Sequence, residues 1–280
     1  MTGKADLHMH TVHSDGTLTT RQLMERARGV GLSTISITDH DNTAAIGEAH
    51  VLSAEFGIDV ISGVELSATI NEHDVHILGY FFDHTDAALL DYLSHYRGER
   101  VKRAERIIDK LNSLKIPLRI ESVLEKAGAG SVGRPHIANA LLEEGLTESY
   151  HEAFFKYIGF GKPAYEKKSQ VTPREAFELI AAAGGLSFIA HPGNFIDEKM
   201  LMELIKQGVD GLEVIHPSHS PERVAYYKGI ANEYFLLTSG GSDFHGGRRN
   251  DADVFGKYVM SDDEVEMMRR RLVQSHHRSS

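Results

Sequence analysis

No cysteine occurs among the 280 residues. Disulfides and thiolate-bound metals are therefore excluded, and any metal site must be built from nitrogen and oxygen ligands. Long apolar runs are also missing: nothing approaches the roughly 20 consecutive apolar residues of a membrane-spanning helix. The start, Met1-Thr2-Gly3-Lys4, carries no apolar signal segment and leads straight into Asp6-Leu7-His8, so a cytoplasmic protein without a membrane partner is expected. Positive charge is in deficit, with 30 Lys and Arg against 40 Asp and Glu and a net charge of -10. That balance argues against broad binding to duplex nucleic acid but leaves room for a local basic groove. No Gly-x-x-x-x-Gly-Lys-Ser/Thr loop for nucleotide triphosphates occurs, nor any solenoid repeat. The length suits one large domain, or one domain with a substantial insertion.

Histidine, by contrast, is abundant, with 17 in the chain. Asp6, His8 and His10 share one parity, so on an extended strand they face one side while Leu7 and Met9 face the other. Two imidazoles at i and i+2 make a metal-binding pair, and Asp15 in the following Asp15-Gly16 turn can reach back towards it. Further strands are expected at Ser33–Thr38, ending in Asp39-His40, at Ile58–Ile61, leading to Gly63-Val64-Glu65, and at Asp74–Tyr80, carrying His76. Others are expected at Leu186–Ala190 before His191, at Gly211–Ile215 before His216 and His219, and at Phe235–Thr238 before Asp243 and His245. Helices alternate with them. Thr19-Thr20-Arg21-Gln22 and Thr172-Pro173-Arg174-Glu175 are capping boxes, Gly31 stops the first helix, and Thr43 to Phe56 reads as the second. Chemical residues thus gather where strands end, as they do in (β/α) barrels and doubly wound sheets. A histidine–carboxylate set drawn from many strands is most readily satisfied by metal ions.

The strand–helix rhythm breaks between about residues 85 and 171. Leu89, Leu93, Tyr96, Ala104, Ile107, Ile108 and Leu111 form the apolar stripe of a long helix, and shorter helices follow. The basic run from Arg97 to Lys110 reads as a solvated helix face, with a phosphate-facing surface as the alternative. This gives a catalytic unit of residues 1–84 plus 172–280 and a helical insertion, 85–171, forming a cap beside the site. The Gly128–Gly133 loop leads to a helix with Pro135 in its first turn, and Arg134 beside that N-terminus makes an anion site, or else a plain surface loop.

Taken in order, Asp6-Leu7-His8-Met9-His10-Thr11, Ser14-Asp15-Gly16, Thr38-Asp39-His40, Gly63-Val64-Glu65, His76, Ala190-His191-Pro192 and Gly241-Ser242-Asp243-Phe244-His245 resemble the motifs of the PHP (polymerase and histidinol phosphatase) superfamily. The resemblance spans nearly the whole chain. It implies an α/β fold, a distorted (β/α)7 barrel, holding two or three divalent ions of Mn, Fe or Zn. Carried over, His8, His10, Glu65 and Asp243 would hold one ion, Glu65 would bridge to a second held by His76 and His191, and Asp15, His40 and His245 would hold a third. Asp6 and Asp39 would orient ligand histidines, although Asp39 also suits a helix cap. Gly133-Arg134-Pro135-His136 and Gly161-Lys162-Pro163 further resemble stand-alone small-nucleotide phosphatases, including nucleoside 3′,5′-bisphosphate phosphatases and related 5′-to-3′ exoribonucleases. The expected partner is a phosphorylated small molecule, a nucleotide or short oligonucleotide, with Arg134, His136, His219 and Lys162 as candidate substrate contacts. Ion-activated hydroxide would attack phosphorus in line, with His216 a candidate catalytic group near the leaving oxygen. A histidinol-phosphate-type phosphatase and a non-catalytic, metal-stabilised interaction module are the alternatives.

Overall fold

The computed structural model describes residues 3–71, 73–167, 171–193, 196–247 and 251–279, with side chains described as far as Gln274. The C-terminal His276 and His277 lie outside the described side chains. Among the described residues the strands are β1 (Lys4–Asp6), β2 (Thr34–Ile37), β3 (Asp59–Ile70), β4 (His73–Tyr80), β5 (Leu186–Ile189), β6 (Gly211–Ile215), β7 (Leu237–Gly240) and β8 (Met260–Ser261). The helices are α1 (Thr20–Gly29), α2 (Ala44–Phe56), α3 (Ala87–Ser113), α4 (Ile120–Ala127), α5 (Arg134–Glu143), α6 (Tyr150–Ala153), α7 (Pro173–Ala182), α8 (Glu198–Lys206), α9 (Pro221–Glu233) and α10 (Asp262–Ser279). A π-helical turn, Phe154–Ile158, continues α6.

One sheet runs in the order β7-β6-β5-β4-β3-β2-β1-β8. It curls until the extended residues after β1 meet those after β7: Leu7 N–H donates to Gly240 O at 3.1 Å, Asp243 N–H to His8 O at 2.9 Å and His10 N–H to Phe244 O at 2.9 Å. The α/β barrel is therefore nearly closed. Its distortion lies in β4, which runs antiparallel to both β3 and β5, while the other pairs from β1 to β7 are parallel. The β3–β4 pair is a hairpin with Glu65 opposite Leu78 and Ser67 opposite His76. The strand expected at Ile58–Ile61 does not stop before Gly63; β3 is continuous through Glu65.

Local signals explain much of the helical frame. Thr19 and Thr172 both close capping boxes, and Ser220 caps α9 with Pro221 in its first turn. The first helix ends at Gly29, two residues before the expected stop at Gly31, which adopts φ +75°. Leu7, Leu78, Tyr80, Phe188, Ala190 and Met260 form an apolar cluster, and Tyr80 Oη donates to Leu7 O at 2.9 Å within it. The insertion has an apolar cluster of its own, running from Ala104 to Ala164, whereas Leu89 and Leu93 at the start of α3 pack into the β3–β4–α7 cluster. Helix α3 thus contributes to both clusters.

Closure depends on a small residue at one crossing. A Cβ on Gly241 would lie 2.4 Å from the His8 backbone nitrogen, 2.5 Å from His8 Cβ and 2.8 Å from Asp6 Oδ1. Overpacking of a tight interior typically costs about 1–3 kcal/mol. Gly241→Ala should therefore lower Tm by roughly 2–4 °C per kcal/mol, and thermal unfolding unchanged from wild type would show that the crossing tolerates a methyl group.

Candidate metal centre

The barrel delivers its polar residues to one end. His8 and His10 follow β1 on the extended segment, whose formal strand ends at Asp6; their shared parity is kept because Met9 still bridges to Phe244. His40 follows β2, Glu65 lies in β3, His76 in β4 and His191 just after β5. His216 follows β6, and Asp243 and His245 follow β7. His8, His10 and Glu65 are all 0% exposed.

Glu65 is the hub. Its Oε1 lies 2.6 Å from His76 Nδ1 and 3.0 Å from His191 Nε2; its Oε2 lies 3.0 Å from His40 Nδ1, 3.3 Å from His10 Nε2 and 3.5 Å from His8 Nε2. Asp243 Oδ1 lies 3.3 Å from His8 Nε2 and 3.2 Å from His10 Nε2. Asp15 is 3.3 Å from His245 Nε2 and 3.8 Å from His40 Nε2. Four overlapping groups emerge with ligand atoms close enough to share an ion: His10, Asp15, His40 and His245; His8, His10 and Asp243; His8, Glu65 and His191; His40, Glu65 and His76. The nine residues expected to hold metal thus come together, with His40 beside Glu65 as well as Asp15. His216 joins them, its Nε2 3.5 Å from Asp243 Oδ2.

The donor set fits divalent ions. His8 Nε2, His10 Nε2, His40 Nδ1, Glu65 Oε2 and His216 Nε2 are buried without a hydrogen-bond partner among the described residues. Orphaned buried polar atoms are costly, and atoms that converge without hydrogen-bond alignment are what shared cations would satisfy. Without metal, protons take that role at His8 and His10. Burial alone would lower the His10 pKa, but Asp243 and Glu65 outweigh it and push it up to about 10. Burial would raise the Glu65 carboxyl, yet the imidazoles of His40, His76 and His8 hold it well below the usual carboxylate range.

A shell of buried groups fixes these ligands. Glu213 in β6 is fully buried; it accepts from His8 Nδ1 at 2.9 Å and from the His191 backbone N–H at 2.6 Å. That leaves His8 Nε2 for an ion and steadies His191, whose φ of +24° is strained for a side-chain-bearing residue. Sequence reasoning missed Glu213, although a lone carboxylate between Leu212 and Val214 was its signal. Asp39 accepts from Thr11 N–H at 2.7 Å, Thr11 Oγ1 at 2.5 Å and Ser14 Oγ at 2.6 Å, and Ser14 Oγ is 3.3 Å from His10 Nδ1. It reaches His10 through Ser14 and makes no cap for α2. Asp6 Oδ1 accepts from the backbone N–H of His8 and of Ser242, and burial raises its pKa to about 7.

The expected substrate contacts separate. Arg134, at the start of α5, lines cavities of about 210 and 260 Å³ together with His76. It lies 3.7 Å from Asp74 and faces the rings of Phe154 and Tyr165. Arg100 and Arg103 line the larger of these cavities, so the solvated-face reading of the basic run fails for both, which stand one turn apart on the inward side of α3. Burial depresses the Arg103 pKa to about 10, helped by Arg134. His136 is buried, and its Nδ1 accepts Gly133 N–H at 3.0 Å, a helix-capping role. Lys162 sits over the exposed Phe155 ring. His219 has no ring nitrogen left for substrate: Nδ1 donates to Val214 O at 2.9 Å and Nε2 accepts Gly193 N–H at 3.1 Å.

Comparison with known proteins places this geometry. A family model described as PHP domain matches residues 6–207. The chain is 34% identical over 247 residues to the 5′-3′ exoribonuclease Rnm of Escherichia coli, covering 86% of this chain and 84% of the relative. It is 31% identical over 255 residues to the 3′,5′-nucleoside bisphosphate phosphatase of Chromobacterium violaceum, covering 89% and 90%. A solved structure from Bifidobacterium adolescentis, assigned by its description to the metal-dependent phosphoesterases, superimposes with a TM-score of 0.86 at 33% identity over 94% of each chain.

Two outcomes follow for metal binding. Glu65→Ala should abolish most metal retention, measured by elemental analysis, while Glu213→Gln should weaken metal affinity about 10- to 100-fold; wild-type retention in both variants would refute these roles. Metal uptake by chelator-stripped protein should also release protons. His10 stays protonated through neutral pH in the metal-free state and must be neutral to ligate, so affinity should rise with pH and fall on acidification. Calorimetry in buffers of different ionisation enthalpy measures the protons released, and none at pH 7 would refute the argument.

Proposed function

Taking as premise that the chain belongs to the PHP-domain family, we propose that this metal-dependent phosphoesterase acts on small nucleotides, removing the 3′-phosphate of nucleoside 3′,5′-bisphosphates and trimming short 5′-phosphorylated RNA. The observation that carries this reading is the arginine-lined cavity directly beside the histidine–carboxylate centre: Arg100, Arg103 and Arg134 share it with His40, His76 and Asp15. A monoester needs one anion site; a bisphosphate needs a second, and this cavity supplies it.

The division among ions follows the sequence resemblance. His8, His10, Glu65 and Asp243 would hold one divalent ion, Glu65, His76 and His191 a second, and Asp15, His40 and His245 a third, with Mn, Fe or Zn suited to such ligands. When bound, these ions supply Lewis acidity and an activated water at neutral pH. The protein's own part is positional. Glu213 and the Asp39–Ser14 pair hold imidazoles in place, and Arg134 and Arg103 hold the non-reacting phosphate by charge-assisted hydrogen bonds. His216 Nε2, beside Asp243, is the imidazole placed to hold a proton near the leaving oxygen. The two reactions named for the relatives are then one bond cleavage. In a 3′,5′-bisphosphate and in a 5′-phosphorylated strand alike, the P–O3′ bond of the terminal nucleotide breaks while its 5′-phosphate rests on the arginines.

The test is Arg134→Ala. A charge-assisted phosphate contact contributes about 1.5–3 kcal/mol. The variant should lose roughly ten- to a hundred-fold in kcat/KM on a nucleoside 3′,5′-bisphosphate, and much less on p-nitrophenyl phosphate, which has no second phosphate. Equal losses on both substrates would place Arg134 at the reacting phosphate instead, and no loss on either would remove it from the site.

A further inference from the structure

The space beside the metal centre is a row of cavities. One of about 210 Å³ lies against His191, His76 and Arg134. The next, about 260 Å³, shares His76 and Arg134 with it and adds Arg100, Arg103 and Asp15. A further one, about 290 Å³, shares Asp15 and Tyr150 with the second and is lined also by Thr17, Asn139, Leu142 and His245. Neighbours share lining residues, and residues of the centre line all three: His76 and His191 the first, Asp15, His40 and His76 the second, Asp15 and His245 the third.

Charge changes along the row. The arginines line the first two cavities, Arg134 both of them and Arg100 and Arg103 the second. The 290 Å³ cavity is lined by no lysine or arginine; Glu143 stands on its rim, paired with Lys126, and Asp15 lies on the side of the centre. Its other walls are a threonine, an asparagine, a tyrosine, the imidazole of His245, and Leu142, which is 38% exposed. Such a surface repels phosphate but suits a neutral nucleoside, with hydroxyl and amide groups for sugar and base edges and an aromatic face for stacking.

We infer that this cavity is the subsite for the nucleoside on the far side of the scissile phosphate, the first residue of the departing strand. The inference rests on the nucleotide reading above and gives it a polarity: terminal 5′-phosphate on the arginines, scissile phosphate at the metal centre, next nucleoside between Asn139, Leu142 and Tyr150. In the reaction, water oxygen bonds to phosphorus and the P–O3′ bond breaks. O3′ takes a proton and leaves as the 3′-hydroxyl of a nucleoside 5′-monophosphate. The strand departs with the phosphate on its own 5′-oxygen, so each product strand carries the group the arginines bind and is a substrate again. A nucleoside 3′,5′-bisphosphate is the shortest member of the series and leaves this subsite empty.

Asn139 and Leu142 lie on α5, part-exposed, and helix formers are tolerated there. Asn139→Ala and Leu142→Glu, made separately, are assayed on a 5′-phosphorylated trinucleotide and on a nucleoside 3′,5′-bisphosphate. The ratio of the two kcat/KM values cancels any loss of folded protein. It should fall about five- to twenty-fold against the strand in each variant, the scale of one lost stacking or hydrogen-bonding contact. Ratios equal to wild type in both variants would overturn the subsite, as would wild-type protein that cleaves the bisphosphate but not the trinucleotide. Wild-type protein that cleaves neither would overturn the nucleotide reading itself, and the subsite with it.

Discussion

A carboxylate with no exposure to water cannot stay ionised alone, and Glu65 is such a group. Its two oxygens face His76 and His191 on one side and His8, His10 and His40 on the other. Those imidazoles come from four parts of the sheet, after β1, after β2, within β4 and after β5, so the barrel must close to within ångströms before Glu65 has compensating positive charge. Imidazoles supply it when protonated, and divalent ions supply it when the imidazoles are neutral. The same geometry therefore supports a proton-loaded and a metal-loaded state that exclude one another. Closure at Gly241, strain at His191 and Asp243, and the buried Glu213 all bear on this demand, since each sets where one ring sits relative to Glu65.

The elements most legible in the sequence were those governed by local rules. The Thr19 and Thr172 caps, the end of α2 at Gly57 and the parity of His8 and His10 depend on residues a few positions apart. The motif residues could also be grouped, because each stands where an apolar run ends. What stayed hidden depends on distant partners. Alternation cannot tell an antiparallel strand from a parallel one, so the reversal at β4 was not visible. Glu213 resembles any residue of a buried strand until His8, 205 positions away, is brought against it. His219 looks like a functional histidine in His216-Pro217-Ser218-His219, yet backbone groups of Val214 and Gly193 consume both its ring nitrogens. Arg100 and Arg103 read as solvated because helical periodicity identifies a face but not what the face meets.

The α4–α5 region and the sheet pack into separate apolar clusters, so their relative placement depends on the contacts between them. Part of the join is a largely buried ion pair. Arg100 Nε lies 2.6 Å from Asp41 Oδ2, its Nη2 donates to Ser67 Oγ at 2.8 Å and its Nη1 to Val132 O at 3.2 Å. Burial would raise the Asp41 carboxyl, but the Arg100 guanidinium holds it below its ordinary range. Asp41 follows His40 directly, adopts φ +47° and donates its backbone N–H to Glu65 O at 3.0 Å. A buried ion pair adds little net stability, because desolvation offsets attraction, but it penalises every arrangement that leaves one charge unpaired. In this arrangement Arg103 and Arg134 lie beside the same His40 and His76 that meet Glu65. The pair therefore bears on where the arginine-lined cavity sits relative to the histidine–carboxylate centre.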